Sequence, residues 1–345
     1  MRKWFEQTEN RQPNIVSSRV RLVRNWDQYR FPKSLSPAES EELVKRLEYG
    51  LKNLKELDGR EYEYAYLEEL DELSRRALGE RRILNSSILQ KKETVGLIVS
   101  RDESVSVILN GDDHIRIQFL SPSLQLNELW KMADQMDDYI NARFSYAFDE
   151  KYGYLTSFPT NMGTGLKACV TLHLPTLSLG KKFPSLLSDM SRFGVSLRGV
   201  YGEGSENYGA LYEVANQKTL GSTEQEIIDL VYQAAGQLSR QEQQVREKAL
   251  SNHRLEREDE AYKSYGVLKY ARRLSGKDAM IFLSQMMAGA DDGILAFKEP
   301  CSIYRLMLGI RTANLQKLSH KPLGKEELDV ARAAYLRKEL PELAG

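Results

Sequence analysis

Apolar positions first recur with a helical period: after Ser36-Pro37-Ala38-Glu39, leucine and valine stand at Leu43, Val44, Leu47, Leu51 and Leu54 among lysines and glutamates. Spacings of three and four place them on one stripe, and the opening residues supply an N-cap, a first-turn proline and a capping-box carboxylate. The pattern predicts a helix from residue 37 with that stripe in the core. From Thr94 to Phe119 the period falls to two. Val95 to Val99, Val105 to Leu109 and His114 to Phe119, separated by turns, read as antiparallel strands. In the last of these, His114, Arg116 and Gln118 share one face and Ile115, Ile117 and Phe119 the other, the alternation of a half-buried strand with one polar side.

Beyond it, Leu129, Trp130, Ala133, Met136, Ile140 and Phe144 predict a second amphipathic helix, followed by a turn-rich stretch from Ser157 to Gly165 and a strand through Ala168 to Leu172. Val195 to Val200 and Ala210 to Ala215 read as strands bracketing a glycine-rich loop. Ser222-Thr223-Glu224-Gln225 then opens a long helix reaching about Ala249. From Glu258 onward the pattern is helical only, with Ser275-Gly276-Lys277-Asp278 as a cap and Gly289 to Gly293 as a connection. The organisation expected is an α+β region over 1–254 and a small all-helical region over 255–345.

A chain of 345 residues with 41% hydrophobic content can bury a full core. Lys+Arg 49 against Asp+Glu 49 leaves no global field for nucleic acid or an anionic membrane, so any basic site must be local. The residues after Met1 form no apolar signal region and no run of about 18 apolar residues occurs, which makes the cytoplasm the expected location. Two cysteines, Cys169 and Cys301, and four scattered histidines suggest neither a disulfide framework nor a zinc site, and both cysteines read as buried apolar residues.

The local chemistry lies in arginines. Arg19 and Arg21 stand two apart in Ser17-Ser18-Arg19-Val20-Arg21-Leu22-Val23-Arg24-Asn25, so a strand would project both guanidinium groups from one face. Arg116 sits on the polar face of a second strand and Arg198 ends a third. Four such arginines suit the lining of a phosphate-binding groove better than scattered surface ion pairs. Lys167 follows Thr160 to Leu166, a loop whose small residues would let backbone N–H groups approach an anion. No P-loop, protein-kinase signature or dinucleotide fingerprint accompanies them.

Four ordered stretches, Ser17 to Asn25, Asn110 to Gln118, Pro159 to Ala168 and Arg198 to Glu203, resemble the ATP:guanido phosphotransferases, and the resemblance extends over essentially the whole chain. It implies an antiparallel sheet flanked by helices, followed by the helical region, and transfer of the γ-phosphoryl group of ATP, with Mg2+, to a guanidinium nitrogen. It further implies nucleotide contacts at Ser17, Ser18, Arg19, Val20 and Arg21, at Arg82 and Arg116, and at Lys167, Ala168, Cys169, Val170 and Thr171. Arg198, Gly199, Val200, Tyr201, Gly202 and Glu203 complete that set, and Glu203 matches a catalytic glutamate. A carboxylate there is needed, because a guanidinium is protonated at physiological pH and becomes nucleophilic only when a base orients it and takes its proton.

The chain also departs from the family pattern. Asn110-Gly111-Asp112-Asp113-His114 stands where the family has Asn-Glu-Glu-Asp-His, so Gly111 takes the place of a second catalytic glutamate and Asp112 is the adjacent carboxylate that could substitute. Phe158 replaces a substrate-side cysteine, Arg82 an adenine-side histidine and Lys167 an arginine. Leu328-Asp329-Val330-Ala331-Arg332-Ala333 resembles an Arg-Asp-x-x-Arg-Ala phosphoarginine-recognition motif that retains Asp329 and Arg332, although Leu328, Ala331, Tyr335 and Leu336 equally fit a packed helix. Small-molecule guanidino kinases place a helical domain before the Ser-Ser-Arg motif, whereas here sixteen residues precede Ser17, which favours an acceptor site open to protein side chains.

The implied activity is phosphorylation of protein arginines, marking proteins in the stress response for Clp-dependent degradation. The implied partners are a second copy of the chain, a zinc-binding activator protein, a heat-shock repressor and a Clp unfoldase. A nucleotide- or phosphoarginine-binding regulator without turnover, and a free-arginine kinase, are the alternative readings.

Overall fold

The computed structural model describes residues 2–9, 11–201 and 207–344. In chain order it forms β1 (Ile15–Arg24), α1 (Pro37–Leu51), α2 (Leu54–Asp58), β2 (Tyr62–Tyr66), α3 (Glu72–Glu80), α4 (Ser86–Leu89), β3 (Gly96–Ser100), β4 (Val105–Leu109), β5 (Ile115–Pro122) and α5 (Leu126–Asn141). There follow β6 (Phe148–Asp149), β7 (Gly153–Tyr154), β8 (Leu166–His173), α6 (Phe183–Arg192), β9 (Val195–Gly199), β10 (Leu211–Asn216) and α7 (Glu224–Asn252). The rest is helical: α8 (Arg254–Tyr270), α9 (Gly276–Asp291), α10 (Ile303–Gly309), α11 (Thr312–Lys317) and α12 (Lys325–Glu339). Among the described residues no helix is long and apolar enough to cross a membrane.

Eight strands form one sheet in the order β2-β3-β4-β5-β1-β8-β10-β9. The chain divides into two compact units: Met1–Trp4, Ser17–Val170 and Ala215–Tyr232 make the first, and Phe5–Val16, Thr171–Val214 and Gln233–Gly345 the second.

In the first unit the pairs β2–β3, β3–β4, β4–β5 and β5–β1 are all antiparallel. One face buries Val20, Leu22, Val107, Ile117 and Phe119, with Leu43, Val44 and Leu47 of α1 and Leu129, Ala133 and Met136 of α5 also in the core. The Ser36 capping box closes α1 as the sequence requires, with Ser36 Oγ accepting from Glu39 N–H and the Glu39 carboxylate from Ser36 N–H. The segment 67–95, which carries no clear period, folds as α3 and α4 around a cluster of Leu67, Ile83, Leu84, Ile88, Val95, Leu97 and Ile108.

That segment corrects the reading of β5 as half-buried. Arg116 and Gln118, on its polar side, are 5% and 2% exposed, because the chain at 82–83 crosses them: Arg116 Nη2 donates to Ile83 O, and Gln118 Nε2 to Arg82 O at 3.0 Å.

The second unit holds β9, α6 and the helices beyond residue 253. Leu268, Leu283, Met286, Leu306 and Leu336 are buried there. Ser275 caps α9 as expected, its Oγ accepting from Asp278 N–H. The expected connection at Gly289 is instead helix, since α9 runs on to Asp291. Gly289 serves close packing on α8, where a Cβ would lie 2.6 Å from that of Ala261. Of the two free cysteines, Cys169 is buried as expected, whereas Cys301 is half-buried.

Candidate active site

The register of β1 against β5 pairs Arg19 with Leu120, Arg21 with Gln118 and Val23 with Arg116. Directly paired residues of an antiparallel ladder project to the same side, so Ser17, Arg19, Arg21, Arg116 and Gln118 share one face, while Ser18 and Val20 turn to the other. Arg19 Nη2 reaches Cys169 Sγ of β8 at 3.3 Å, which brings that strand onto the same face.

Arg116 is the most constrained member. Burial, then Arg21 and Arg19, push its guanidinium down to about 9, with Asp112 opposing them. It remains a cation at neutral pH, and its Nε has no hydrogen-bond partner among the described residues. Three guanidinium groups gathered on one face favour an anion carrying several charges.

Neighbouring predicted residues have structural duties. Ser18 Oγ donates to Ser123 O at 2.8 Å and accepts from Gln125 N–H at 3.0 Å. Lys167 Nζ donates to Asn216 O, and Ala168 N–H to Asn216 Oδ1 at 2.9 Å. Val170 is fully buried.

Arg82 adopts a left-handed backbone with φ of 67°. The loop before Lys167 differs from the anion cradle expected of it: Gly163 N–H donates to Tyr154 O and Thr164 N–H to Thr219 O. Gly165 lets the loop press on β1, since a Cβ there would lie 2.7 Å from Val23 O. Phe158 is 39% exposed, with Lys33 Nζ 5.3 Å from its ring centroid.

The 110–114 loop is held by a dense set of hydrogen bonds, although Asp113 Oδ2 is buried without a partner among the described residues. The Asp112 carboxylate accepts from Ser87 Oγ at 2.7 Å and Asn85 Nδ2 at 3.0 Å. Lys91 Nζ donates to Asn110 O at 2.6 Å and Gly111 O at 2.7 Å, and burial pushes this ammonium below its ordinary value. Asp113 accepts from Asn25 and from Ser157 N–H. His114 Nδ1 accepts from Trp26 N–H while Nε2 donates to Arg30 O, and burial lowers the ring to about 4, so it stays neutral.

A Cβ on Gly111 would stand 3.3 Å from Ile88 Cδ1 and Ile108 Cγ2. A glutamate there would therefore start against apolar side chains and shift α4, whose Asn85 and Ser87 hold Asp112. Gly111→Glu should therefore lower stability by about 1–3 kcal/mol and leave turnover no higher. Thermal denaturation and a rate assay on the same variant check this.

In the second unit, Thr171 is buried and Arg198 on β9 is exposed. Beyond Gly199, Val200 N–H donates to Leu211 O at 3.0 Å. Tyr201 Oη lies 3.3 Å from Tyr304 Oη, and Arg311 stacks on the Tyr201 ring at 4.5 Å. Gly202 and Glu203 lie outside the described residues. Asp329 and Arg332 meet each other: Arg332 Nη1 donates to Asp329 Oδ1 at 2.6 Å and to Leu274 O at 2.8 Å, and its Nε donates to Ile310 O at 3.1 Å. This pair fastens α12 within the helical region, the packing role its helical spacing also allowed.

Sequence reasoning missed Arg24 and Lys91. Arg24 is 1% exposed, bound through Nε and Nη2 to Asp137 Oδ2 at 3.1 and 2.7 Å and stacked 3.6 Å from the Tyr154 centroid. Its one local signal was its place in an alternating strand, which could not show that its side of the sheet is covered.

A large antiparallel sheet flanked by helices, with a guanidinium cluster on one face, defines a protein of the guanidino-kinase fold. Solved structures share it, among them the substrate-free duplicated taurocyamine kinase from Schistosoma mansoni, with a TM-score of 0.59 at 24% identity, over 72% of this chain and 37% of that one. Lombricine kinase has a TM-score of 0.59 at 19% identity, over 73% and 72%.

Residues 42–245 match the family "ATP:guanido phosphotransferase, C-terminal catalytic domain", and residues 253–345 match the "Protein-arginine kinase McsB C-terminal domain". The chain belongs to the ATP:guanido phosphotransferase family. Its relatives include the protein-arginine kinase of Desulforamulus reducens, 39% identical over 99% of this chain and 96% of that one. That of Bacillus subtilis is 37% identical over 98% and 93%.

Proposed function

We propose that this chain transfers the γ-phosphoryl group of ATP to arginine side chains of proteins. The observation that carries the reading is Arg116, a buried cation on the same face as Arg19 and Arg21, whose charge an incoming polyphosphate would stabilise. The names of the relatives and of the C-terminal family supply the acceptor.

In this mechanism Arg19, Arg21 and Arg116 grip the phosphates of ATP, with Lys167 and Arg198 as further contacts. Glu203 orients the acceptor guanidinium and takes its proton as a nitrogen attacks the γ-phosphorus. A P–N bond forms, the P–O bond to ADP breaks, and the arginine clamp stabilises the charge that develops. Among the described residues no three His, Cys, Asp or Glu side chains converge as metal ligands. Mg2+ enters this reaction with the nucleotide, as the Mg-ATP substrate.

A catalytic region over 1–254 and a helical region over 255–345 belong to the same proposal, supported by family matches that end at 245 and resume at 253. So do a cytoplasmic setting, a homodimer, an activator, a repressor and an unfoldase as partners, and recognition of phosphoarginine by Asp329 and Arg332. Gly111 favours a second reading, a nucleotide- or phosphoarginine-binding regulator, with Asp112 as the carboxylate that decides between them.

Incubation with Mg-ATP and an arginine-rich protein should produce an acid-labile, alkali-stable phosphate on arginine. ATP binding without transfer selects the regulator. Arg116→Ala should weaken ATP binding by about 1–3 kcal/mol, the loss of one charge-assisted contact. Titration calorimetry checks it, and unchanged affinity would place the nucleotide elsewhere.

A further inference from the structure

A cleft of about 370 Å³ in the first unit is lined by Phe148, Tyr154, Thr164, Leu220 and Glu224 among others. Phe148 is 57% exposed and meets Tyr154 edge-on, with ring centroids 5.3 Å apart. Glu224, the first residue of α7, is half-buried, and among the described residues its carboxylate has no hydrogen-bond or ion-pair partner.

A helix start usually welcomes an anion, but this one already carries two carboxylates: Glu226 caps Thr223 N–H at 2.8 Å, and Glu224 lines the cleft. Asp134 nearby is raised by burial and by Asp138, Asp137 and Glu224, so the surroundings are acidic. Arg24, a cation close to these groups, is bound to Asp137 and stacks on Tyr154, which shows a guanidinium already seated on one of these rings.

We propose that this cleft receives a second arginine of the protein substrate, its guanidinium laid against Phe148 and paired with Glu224. The inference rests on the function proposed above, which makes arginine-bearing proteins the substrates. A flat guanidinium suits an aromatic wall beside a carboxylate better than a compact, strongly hydrated ammonium does. Such a subsite would favour substrates with more than one arginine, holding one while another reacts.

The test uses the full chain and a fluorescein-labelled peptide of Gly-Ser-Arg repeats, read by anisotropy. A matching peptide with citrulline in place of arginine keeps the shape and removes the charge. Glu224→Gln and Phe148→Leu should each weaken binding of the arginine peptide roughly three- to tenfold, and the citrulline peptide should bind wild type more weakly still. With a phosphorylatable arginine-rich protein, KM should rise in both variants while kcat and ATP affinity hold. Equal binding of the two peptides, or wild-type binding and KM in both variants, overturns the proposal. A wild-type chain that transfers no phosphate would sink the proposed function instead, and the anisotropy result still judges the cleft.

Discussion

Glu203→Gln should leave ATP affinity intact and lower phosphoryl transfer to protein arginine at least about 10²-fold, the usual scale for a positioned general base. The reason is the charge of the acceptor. A guanidinium holds its proton at any physiological pH, so the attacking nitrogen needs a carboxylate to orient it and accept that proton, and glutamine keeps the shape while removing the base. The phosphate clamp is assigned to arginines, above all Arg116, which the substitution does not touch. Single-turnover transfer measured beside calorimetric ATP binding separates the two. Retained transfer would remove Glu203 from its role and make Asp112 the remaining candidate base.

Asp137→Ala should cost about 3–5 kcal/mol of stability, because it leaves a buried guanidinium without its carboxylate. Arg24 is 1% exposed, and burial is the largest influence opposing its charge, yet Asp137 together with Tyr146 and Tyr154 outweighs it and holds the guanidinium above its ordinary value. The same side chain donates through Nη1 to Val23 O and Thr164 O at 2.9 Å, so one pair ties β1 to α5 and to the loop leading into β8. Loss of the carboxylate should loosen that loop and, with it, the position of Lys167. Replacing both partners together, Arg24→Met with Asp137→Leu, should cost much less than Asp137→Ala alone, since no unpaired charge is left behind. Urea unfolding of the three proteins checks this, and a cost below about 1 kcal/mol for Asp137→Ala would mean that the pair behaves as an exposed one.

The features legible in the sequence are those encoded over one to four residues. The Ser36 capping box, the Ser275 cap and the alternation of Arg19 and Arg21 with Val20 and Leu22 all appear as expected. So does the alternation along β5, because strand and helix periods depend on neighbours along the chain. By itself, then, the sequence determined which residues of each element share a face, and its motifs pointed to a phosphate-binding arginine frame.

It could not say which faces would be covered, since that depends on partners distant along the chain. Arg116 meets Ile83 across 33 residues, and Arg24 meets Asp137 across 113. The tertiary structure alone turned the polar side of β5 into a buried cationic site and committed Asp112 to Asn85 and Ser87. It also set Gly111 against Ile88 and Ile108. The physical reason is that periodicity fixes the direction of a side chain relative to its own backbone, whereas burial, pairing and charge balance are properties of the segments that fold over it.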